Sequence, residues 1–438
     1  MATNGKPPLR GSSAFIEFER LFKDHLLPNE SLSWQKIIGK GAFAVVSKCS
    51  LEIAQEDGST KSVPVAVKQL RPEVFREEDH DVKTFFGETQ LLRKLKHPSI
   101  VSFIGVVSHK DNNQCSIGVV QEYMNQGSLN ALLVKQCKSR RKELYQERDG
   151  LRWMLQIARG LEYLHKLKDG SVAVIHRDLK PHNILLHEEE GGEVVAKLAD
   201  FGLSALVRKQ RLSFMGKHSN GPMLTDSTEV LGSWGVDDSS RSSAGRQKSL
   251  STRVSLLTSN LVTRFSVVSD LFRSSSSSTP TKMGNVKSTL REDTLHNLSG
   301  RTGSLMYMPP EVIRGEKYNE SADVFSFIMV LFEVLNKYKN IYRCTKPGGN
   351  ACQDVERWAV AVSNGYRPEL NEDWPAELKN LIMDGWSANA MHRPSMSDVV
   401  RELESLLEKG AFLEPPPFPE HHIQGIEVKG KRHRLCCF

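Results

Sequence analysis

The sequence predicts an α+β fold, and three stretches carry the prediction. From Trp34 to Gln121, apolar residues fall into short strand-like runs separated by polar turns, with one helical stretch, Phe85–Leu95, among them. After Gly127 the longer apolar patterns take helical spacing, most clearly over Leu151–His165. Between that helix and a strand-like Ile184-Leu185-Leu186 lies His176-Arg177-Asp178-Leu179-Lys180-Pro181-His182-Asn183, which packs an acid, two cations and an amide into one short loop. Polar groups held between packed elements suit chemistry, because their supports cannot drift.

The chain has 438 residues, enough for two or three domains or for one large domain carrying insertions, and at 39% hydrophobic residues it can bury a core. No run of eighteen apolar residues occurs, and the richest stretch, Phe325–Leu335, is interrupted by Ser326 and Glu333, so no transmembrane helix is expected. No secretory leader is expected either, because no charged segment followed by an apolar core opens the chain. The seven cysteines are scattered, an odd number without metal spacing except the vicinal Cys436-Cys437, which points to free thiols in a reducing, cytoplasmic setting. The net charge of +7 is read as a solvated surface, and no nucleic-acid partner is expected.

Within the loop, Asp178 can accept a proton from a hydroxyl, Lys180 can neutralise a phosphoryl group, and Asn183 can bind a metal through its amide oxygen. Further on, Lys197-Leu198-Ala199-Asp200-Phe201-Gly202 places a second acid at the end of a short apolar strand. His-Arg-Asp-Leu-x-x-x-Asn followed by Asp-Phe-Gly resembles the catalytic and metal loops of protein kinases. That resemblance implies two lobes, a small antiparallel sheet with one helix and a larger helical lobe, spanning residues 34–408 (N-lobe 34–121, hinge 122–127, C-lobe 128–408).

Residues 1–33 read as an N-terminal extension in which Phe15, Phe18, Leu21 and Phe22 recur at helical spacing. Next, Gly39-Lys40-Gly41-Ala42-Phe43-Ala44-Val45-Val46 supplies two glycines that let backbone approach polyphosphate, with Phe43 at the tip; an ordinary glycine hairpin is the competing reading. The family's third glycine is Ala44 here, which limits positive φ. In Val65-Ala66-Val67-Lys68, Lys68 shares a strand face with Ala66. Glu88 lies three residues after Phe85 and four before Leu92, on the inward face of its helix, where a buried carboxylate needs a partner. Ile100–Ile104 and Ser116–Gln121 read as further strands, and Ser128 as a helix cap. Lys135–Lys142 reads as a solvated basic loop or helix end.

By the resemblance, ATP lies against Gly39, Lys40, Gly41, Phe43, Val46, Ala66, Lys68, Gln121, Glu122, Met124 and Leu185, with Gln121 gating the back of the adenine pocket. Lys68 and Glu88 pair to hold phosphates; Asp178 and Lys180 are catalytic; Asn183 and Asp200 hold Mg²⁺, with Mn²⁺ as an alternative ion. His176, Phe201, Asp323 and Arg393 are structural, Arg393 as the partner of Glu311 and Asp323 at the start of a helix, where it also suits a cap. Ser304, and Lys180 two residues after the acid, match serine/threonine rather than tyrosine kinases. Gly365-Tyr366-Arg367-Pro368 and His392-Arg393-Pro394-Ser395 resemble the tyrosine-kinase-like group. The function implied is transfer of the ATP γ-phosphoryl group to Ser/Thr hydroxyls of protein substrates in signalling. Dual specificity, or a pseudokinase scaffold, stands as the alternative; a P-loop phosphotransferase lacks its motif.

From Asp200 to Glu311 the separation is 311 − 200 = 111 residues, far more than the family needs. The surplus, 207–299, is serine-rich and poor in aromatic residues, and is expected to be disordered, with Ser249, Ser255 and Ser266 beside arginines as phosphorylation candidates. The tail 409–438 has a proline cluster and ends Lys-Arg-His-Arg-Leu-Cys436-Cys437-Phe438. Basic residues beside two cysteines are compatible with peripheral membrane contact by S-acylation, the alternative being a plain basic tail.

Overall fold

The computed structural model describes residues 12–41, 43–71, 74, 79–111, 114–139, 142–167, 172–208, 305–316, 318–337 and 351–412. Its first lobe opens with helix α1 (Ser12–Phe22) and continues through strands β1 (Leu32–Lys40), β2 (Ala44–Ala54) and β3 (Thr60–Leu70). Helix α2 (Asp79–Lys94) and strands β4 (Phe103–Asp111) and β5 (Gln114–Glu122) complete it. The strands form one antiparallel sheet in the order β1-β2-β3-β5-β4. The period-two pattern sends Val65 and Val67 to one face, where they are fully buried with Cys49, Leu51, Val107 and Val120, and sends Ala66 and Lys68 to the other.

The aromatic spacing of residues 15–22 does form a helix, and Phe15, Phe18 and Phe22 are buried in the core. Leu27 N–H then donates to Val106 O (2.8 Å) and packs on the outer face of the sheet. Gly105 permits this approach, since a Cβ there would lie 2.8 Å from Leu27 Cγ. Two strand boundaries differ from expectation. The segment Ile100–Ser102 is not part of β4: Ile100 makes an isolated bridge to Leu198, and Val101 N–H donates to Leu198 O (2.9 Å). Its two apolar residues are buried between the lobes, which outweighs their strand propensity. The strand leading to the hinge also runs one residue further, through Glu122.

The second lobe is mainly helical. A two-residue strand β6 (Gly127–Ser128) precedes α3 (Leu129–Lys138), where Ser128 Oγ accepts from Ala131 N (3.2 Å) as the cap. Lys135 and Lys138 lie in its last turn, favourable for cations. Helix α4 (Glu147–His165) buries a stripe including Leu151, Met154, Ala158 and Leu161. Strands β7 (Val172–Ile175), β8 (Ile184–Glu188), β9 (Val194–Leu198) and β10 (Ala205–Arg208) follow, β8 pairing with β6 and β9, and β10 with β7. The remainder is α5 (Pro310–Ile313), α6 (Ser321–Leu335), α7 (Ala351–Ser363), α8 (Ala376–Gly385) and α9 (Met396–Glu408). Helix α6 is buried on all sides, as its largely apolar sequence requires, with Asp323, Ser326 and Glu333 buried among the apolar residues. Among the described residues, no helix is long and apolar enough to cross a membrane.

Strand β10 extends to Arg208, so it takes in the first two residues of the expected insertion. The rest of 207–299, its serine sites, Ser304 and the tail beyond Phe412 lie outside the described residues.

Candidate active site

The site is built on the loop between β7 and β8. A 3-10 turn, Pro181–Asn183, begins at a proline whose missing N–H costs nothing there, and ends in β8. It folds Asn183 back so that its side-chain amide donates to Asp178 O (2.8 Å) and Asp178 Oδ2 (3.0 Å). Lys180 Nζ meets the same Oδ2 at 2.7 Å. Asp178 is thus held between a cation and an amide, nearly buried at 9% exposure. Beside it, His182 lies below the ordinary imidazole range, first through burial and then through the Lys180 charge.

The loop's shape is imposed from α6. Asp323 is 1% exposed, and its carboxylate accepts from His176 N (2.7 Å), Arg177 N (2.9 Å) and the His165 ring Nε2 (2.9 Å). Burial alone would raise its pKa, but the His165 bond, the neighbouring imidazoles and the Arg177 amide hold it below the usual carboxylate range. The cap expected of Asp323 on its own helix is not made: the described N-cap is Glu320, which makes no side-chain capping bond. Its oxygens serve the amides of another loop instead, which includes Arg177 in the left-handed region (φ 65°).

The Asp200 loop approaches from β9. Ala199 N donates to Asn183 O (2.9 Å), which fixes this loop beside the first, and Asp200 also takes positive φ (64°). His176 Nε2 lies 3.3 Å from Ala199 O, and its ring contacts Phe201 at 5.2 Å between centroids. From the sheet, Lys68 Nζ reaches Glu88 Oε1 at 2.6 Å and Asp200 Oδ1 at 3.1 Å. Burial pulls the Lys68 ammonium down, but the charges of Glu88 and Asp200 outweigh it and hold it above the ordinary lysine value. The Lys68 charge in turn holds the Asp200 carboxyl down at about 2. A Cβ on Gly202 would lie 3.4 Å from both Asp200 Oδ1 and Glu88 Oε2, so the glycine sits directly against this cluster.

Above the cluster, Gly39, Val46 and Lys68 lie in register across β1, β2 and β3, and Ala66 pairs with Gln121. Lys40, Gly41 and Phe43 at the turn are exposed, Phe43 at 44%. Gly41 N donates to Ala44 O (2.8 Å) to close that turn. Ala44 is the buried first residue of β2, paired with Leu70 and outside the positive-φ region, so no glycine is needed there. Met124 is buried within the hinge, and Leu185 sits on β8 opposite Lys197.

A divalent ion would find one carboxylate, Asp200, and one amide oxygen, Asn183. Among the described residues, no group of three or more His, Cys, Asp or Glu side chains could hold a metal. This sparse oxygen set suits an ion such as Mg²⁺, which keeps waters and completes its shell with substrate phosphates. Asp200 remains 49% exposed, so its carboxylate is open to such an arrangement.

Glu311 and Arg393 form a buried bidentate pair at 2.6 and 2.8 Å, and Arg393 also donates to Ser321 O (3.1 Å) and Ser387 O (3.0 Å). Two supporting groups escaped the sequence reading. His165 faces inward from the last turn of α4, where a polar residue on an apolar stripe was the available signal. Lys197 bonds Glu122 Oε2 (2.7 Å), while Glu122 Oε1 accepts from Ser102 N (2.6 Å). That clamp had no local signal, since a lysine between two buried strand residues ordinarily points to solvent.

A family model described as protein tyrosine and serine/threonine kinase matches residues 32–238 and 282–403. The chain is similar to serine/threonine-protein kinase VIK of Arabidopsis thaliana, at 26% identity over 379 residues, 85% of this chain and 59% of that protein. It is similar to serine/threonine-protein kinase 12 of Arabidopsis thaliana, at 27% over 384 residues, 86% of this chain and 56% of the relative. It is also 26% identical over 373 residues to mitogen-activated protein kinase kinase kinase 7 of Homo sapiens, covering 85% of this chain and 41% of the relative. The chain thus aligns with 41% to 59% of the length of these relatives.

Proposed function

Because this chain belongs to the protein tyrosine and serine/threonine kinase family, whose members use ATP and a divalent ion, we propose that it transfers the γ-phosphoryl group of ATP to Ser/Thr hydroxyls of proteins. The observation that carries the reading is the convergence of Lys68, Glu88 and Asp200 on one side with Asp178, Lys180 and Asn183 on the other. In this reading Lys68, fixed by Glu88, receives the α- and β-phosphates. Asp178 orients the acceptor hydroxyl and takes its proton, and Lys180 offsets charge on the phosphoryl group. Asn183 and Asp200 hold Mg²⁺, or Mn²⁺ as an alternative, and the ion neutralises charge across the phosphates. Little covalent work falls to the protein, because the transition state is loose and rewards positioning and electrostatics.

The Ser/Thr preference is supported by Lys180 and by the relatives, which are named serine/threonine-protein kinases and a mitogen-activated protein kinase kinase kinase. A cytoplasmic location, and peripheral membrane contact through Cys436 and Cys437, are further proposals resting on the sequence. Acyl exchange on the full chain, with and without Cys→Ser at both positions, checks the contact, and an unlabelled wild type removes it.

The test of function is γ-phosphate transfer to a generic Ser/Thr substrate by the wild type and by Asp178→Asn. The substitution removes the proton acceptor and is expected to lower kcat by about 100-fold or more. A folded, nucleotide-binding wild type with no transfer would point instead to a scaffold.

A further inference from the structure

Helix α1 lies outside the residues that the family model matches, and the site described above makes no use of it. Its packing gives it a place in that site. Phe18 is fully buried, and its ring lies 6.3 Å from Phe85 and 5.3 Å from Phe86, both on α2. Phe22, also fully buried, packs against Phe18 with tilted rings, 4.8 Å between centroids, and carries the Arg93 guanidinium over its ring at 5.7 Å. Phe85 stands one helical turn before Glu88, so the surface that α1 grips is the turn that aims Glu88 at Lys68.

The same segment is anchored to the sheet on its other side. Ser108 Oγ on β4 donates to Glu19 Oε1 (2.6 Å), Asn29 Nδ2 donates to Ser108 O (2.8 Å), and Leu27 N donates to Val106 O (2.8 Å). Residues 12–29 therefore bridge β4 and α2. The spacing they span is the spacing that the Lys68–Glu88 contact, 2.6 Å long, must close. An inward carboxylate that lost Lys68 would be buried without its counter-charge.

We infer that α1, through Phe18, is a positioning element of the phosphate site: it sets α2 at the distance from the sheet at which Glu88 meets Lys68. Loss of its grip lets α2 move outward, separates the pair and weakens the hold on the phosphates, while the adenine end of the cleft, on the hinge, is untouched. The inference rests on the kinase reading of the cleft, but its test has a binding readout that does not depend on turnover.

The full chain is compared with Phe18→Ala, Phe18→Leu and Ile16→Ala, the last a control at a residue 60% exposed on the same helix. Each is measured for kcat, and for affinity to Mg·ADP and to adenosine by calorimetry. The same set is repeated with Glu88→Gln. Phe18→Ala is expected to weaken Mg·ADP and lower kcat by about tenfold, as the fraction with α2 in place falls, while adenosine affinity stays within about twofold. Phe18→Leu restores most of the loss, and Ile16→Ala changes neither. With Glu88→Gln already present, Phe18→Ala should add less than about threefold, because residues acting through one contact are not additive. An unchanged ratio of Mg·ADP to adenosine affinity, or an equal penalty with and without Glu88, overturns the inference. If Phe18→Ala does not fold, Phe18→Leu carries the same cycle with a smaller expected change. A wild type that binds Mg·ADP but transfers no phosphate refutes the kinase reading and leaves the binding cycle to decide the role of Phe18.

Discussion

Replacing Asp323 by asparagine tests whether α6 shapes the catalytic loop. The carboxylate serves three donors, His176 N (2.7 Å), Arg177 N (2.9 Å) and His165 Nε2 (2.9 Å), at a position 1% exposed. Asparagine has the same shape but one acceptor oxygen. Turned so that the oxygen keeps Arg177 N, it presents its NH₂ to His176 N–H and to the His165 ring. The imidazole can respond by changing tautomer and accepting; the backbone amide cannot. At about 1–3 kcal/mol for a buried donor left unmet, the substitution should cost roughly 1–3 kcal/mol of stability. Asp323→Ala, which leaves all three donors unmet, should reach the roughly 3–5 kcal/mol typical of breaking a buried charged contact. Both anchored amides lie within two residues of Asp178, and a displacement of about 1 Å at the reacting group can lower turnover about 100-fold. Urea unfolding reads the first effect as a lower midpoint with unchanged slope, and kcat on a generic Ser/Thr substrate reads the second. An asparagine variant with wild-type midpoint and wild-type kcat would refute the coupling of α6 to the loop.

Two other predictions follow from single contacts. The Asp200 carboxyl, held at about 2 against an ordinary 3.8 chiefly by the Lys68 charge, should move up in Lys68→Met. Its folded pKa is the lower one, so the unfolded chain binds more protons between these values. The stability it contributes is complete above pH 4 and lost as pH falls toward 2, and solvent screening keeps it small at a half-exposed group. Carboxyl NMR titration of the two proteins checks this, and identical Asp200 midpoints would count against it. At the end of α8, a Cβ on Gly385 would fall 2.4 Å from Ile328 Cγ1. Gly385→Ala should therefore cost about 1–3 kcal/mol by overpacking, a loss that Ile328→Ala should partly relieve in the double variant; additive losses would show that the two do not meet.

Much of the site was legible because its residues sit at positions where local pattern dictates direction. Strand alternation puts Lys68 with Ala66 on one face, and helical spacing puts Glu88 with Phe85 and Leu92 on another, so a pairing could be read before either was placed. The aromatic period of α1 was equally plain, but not what it packs on, since periodicity gives a face and not a partner. Asp323 shows the limit most clearly. Its position in the first turn of α6 argued for a cap, yet its oxygens satisfy a loop 146 and 147 residues away in sequence.

By itself, the sequence determined the alternation of strands and helices, the polar loop at residues 176–183 and the chemistry its side chains can perform, because these depend on residue types and short-range spacing. Tertiary structure decided which groups meet. It brought Glu88 and Asp200 to one ammonium, turned Asp323 away from its own helix, bound Glu122 to Lys197, and laid α1 across the helix that carries Glu88. Each of these contacts joins segments far apart in the chain. Burial drives them together, and the need to satisfy every buried charge and amide then selects the partners, a condition no local stretch can express.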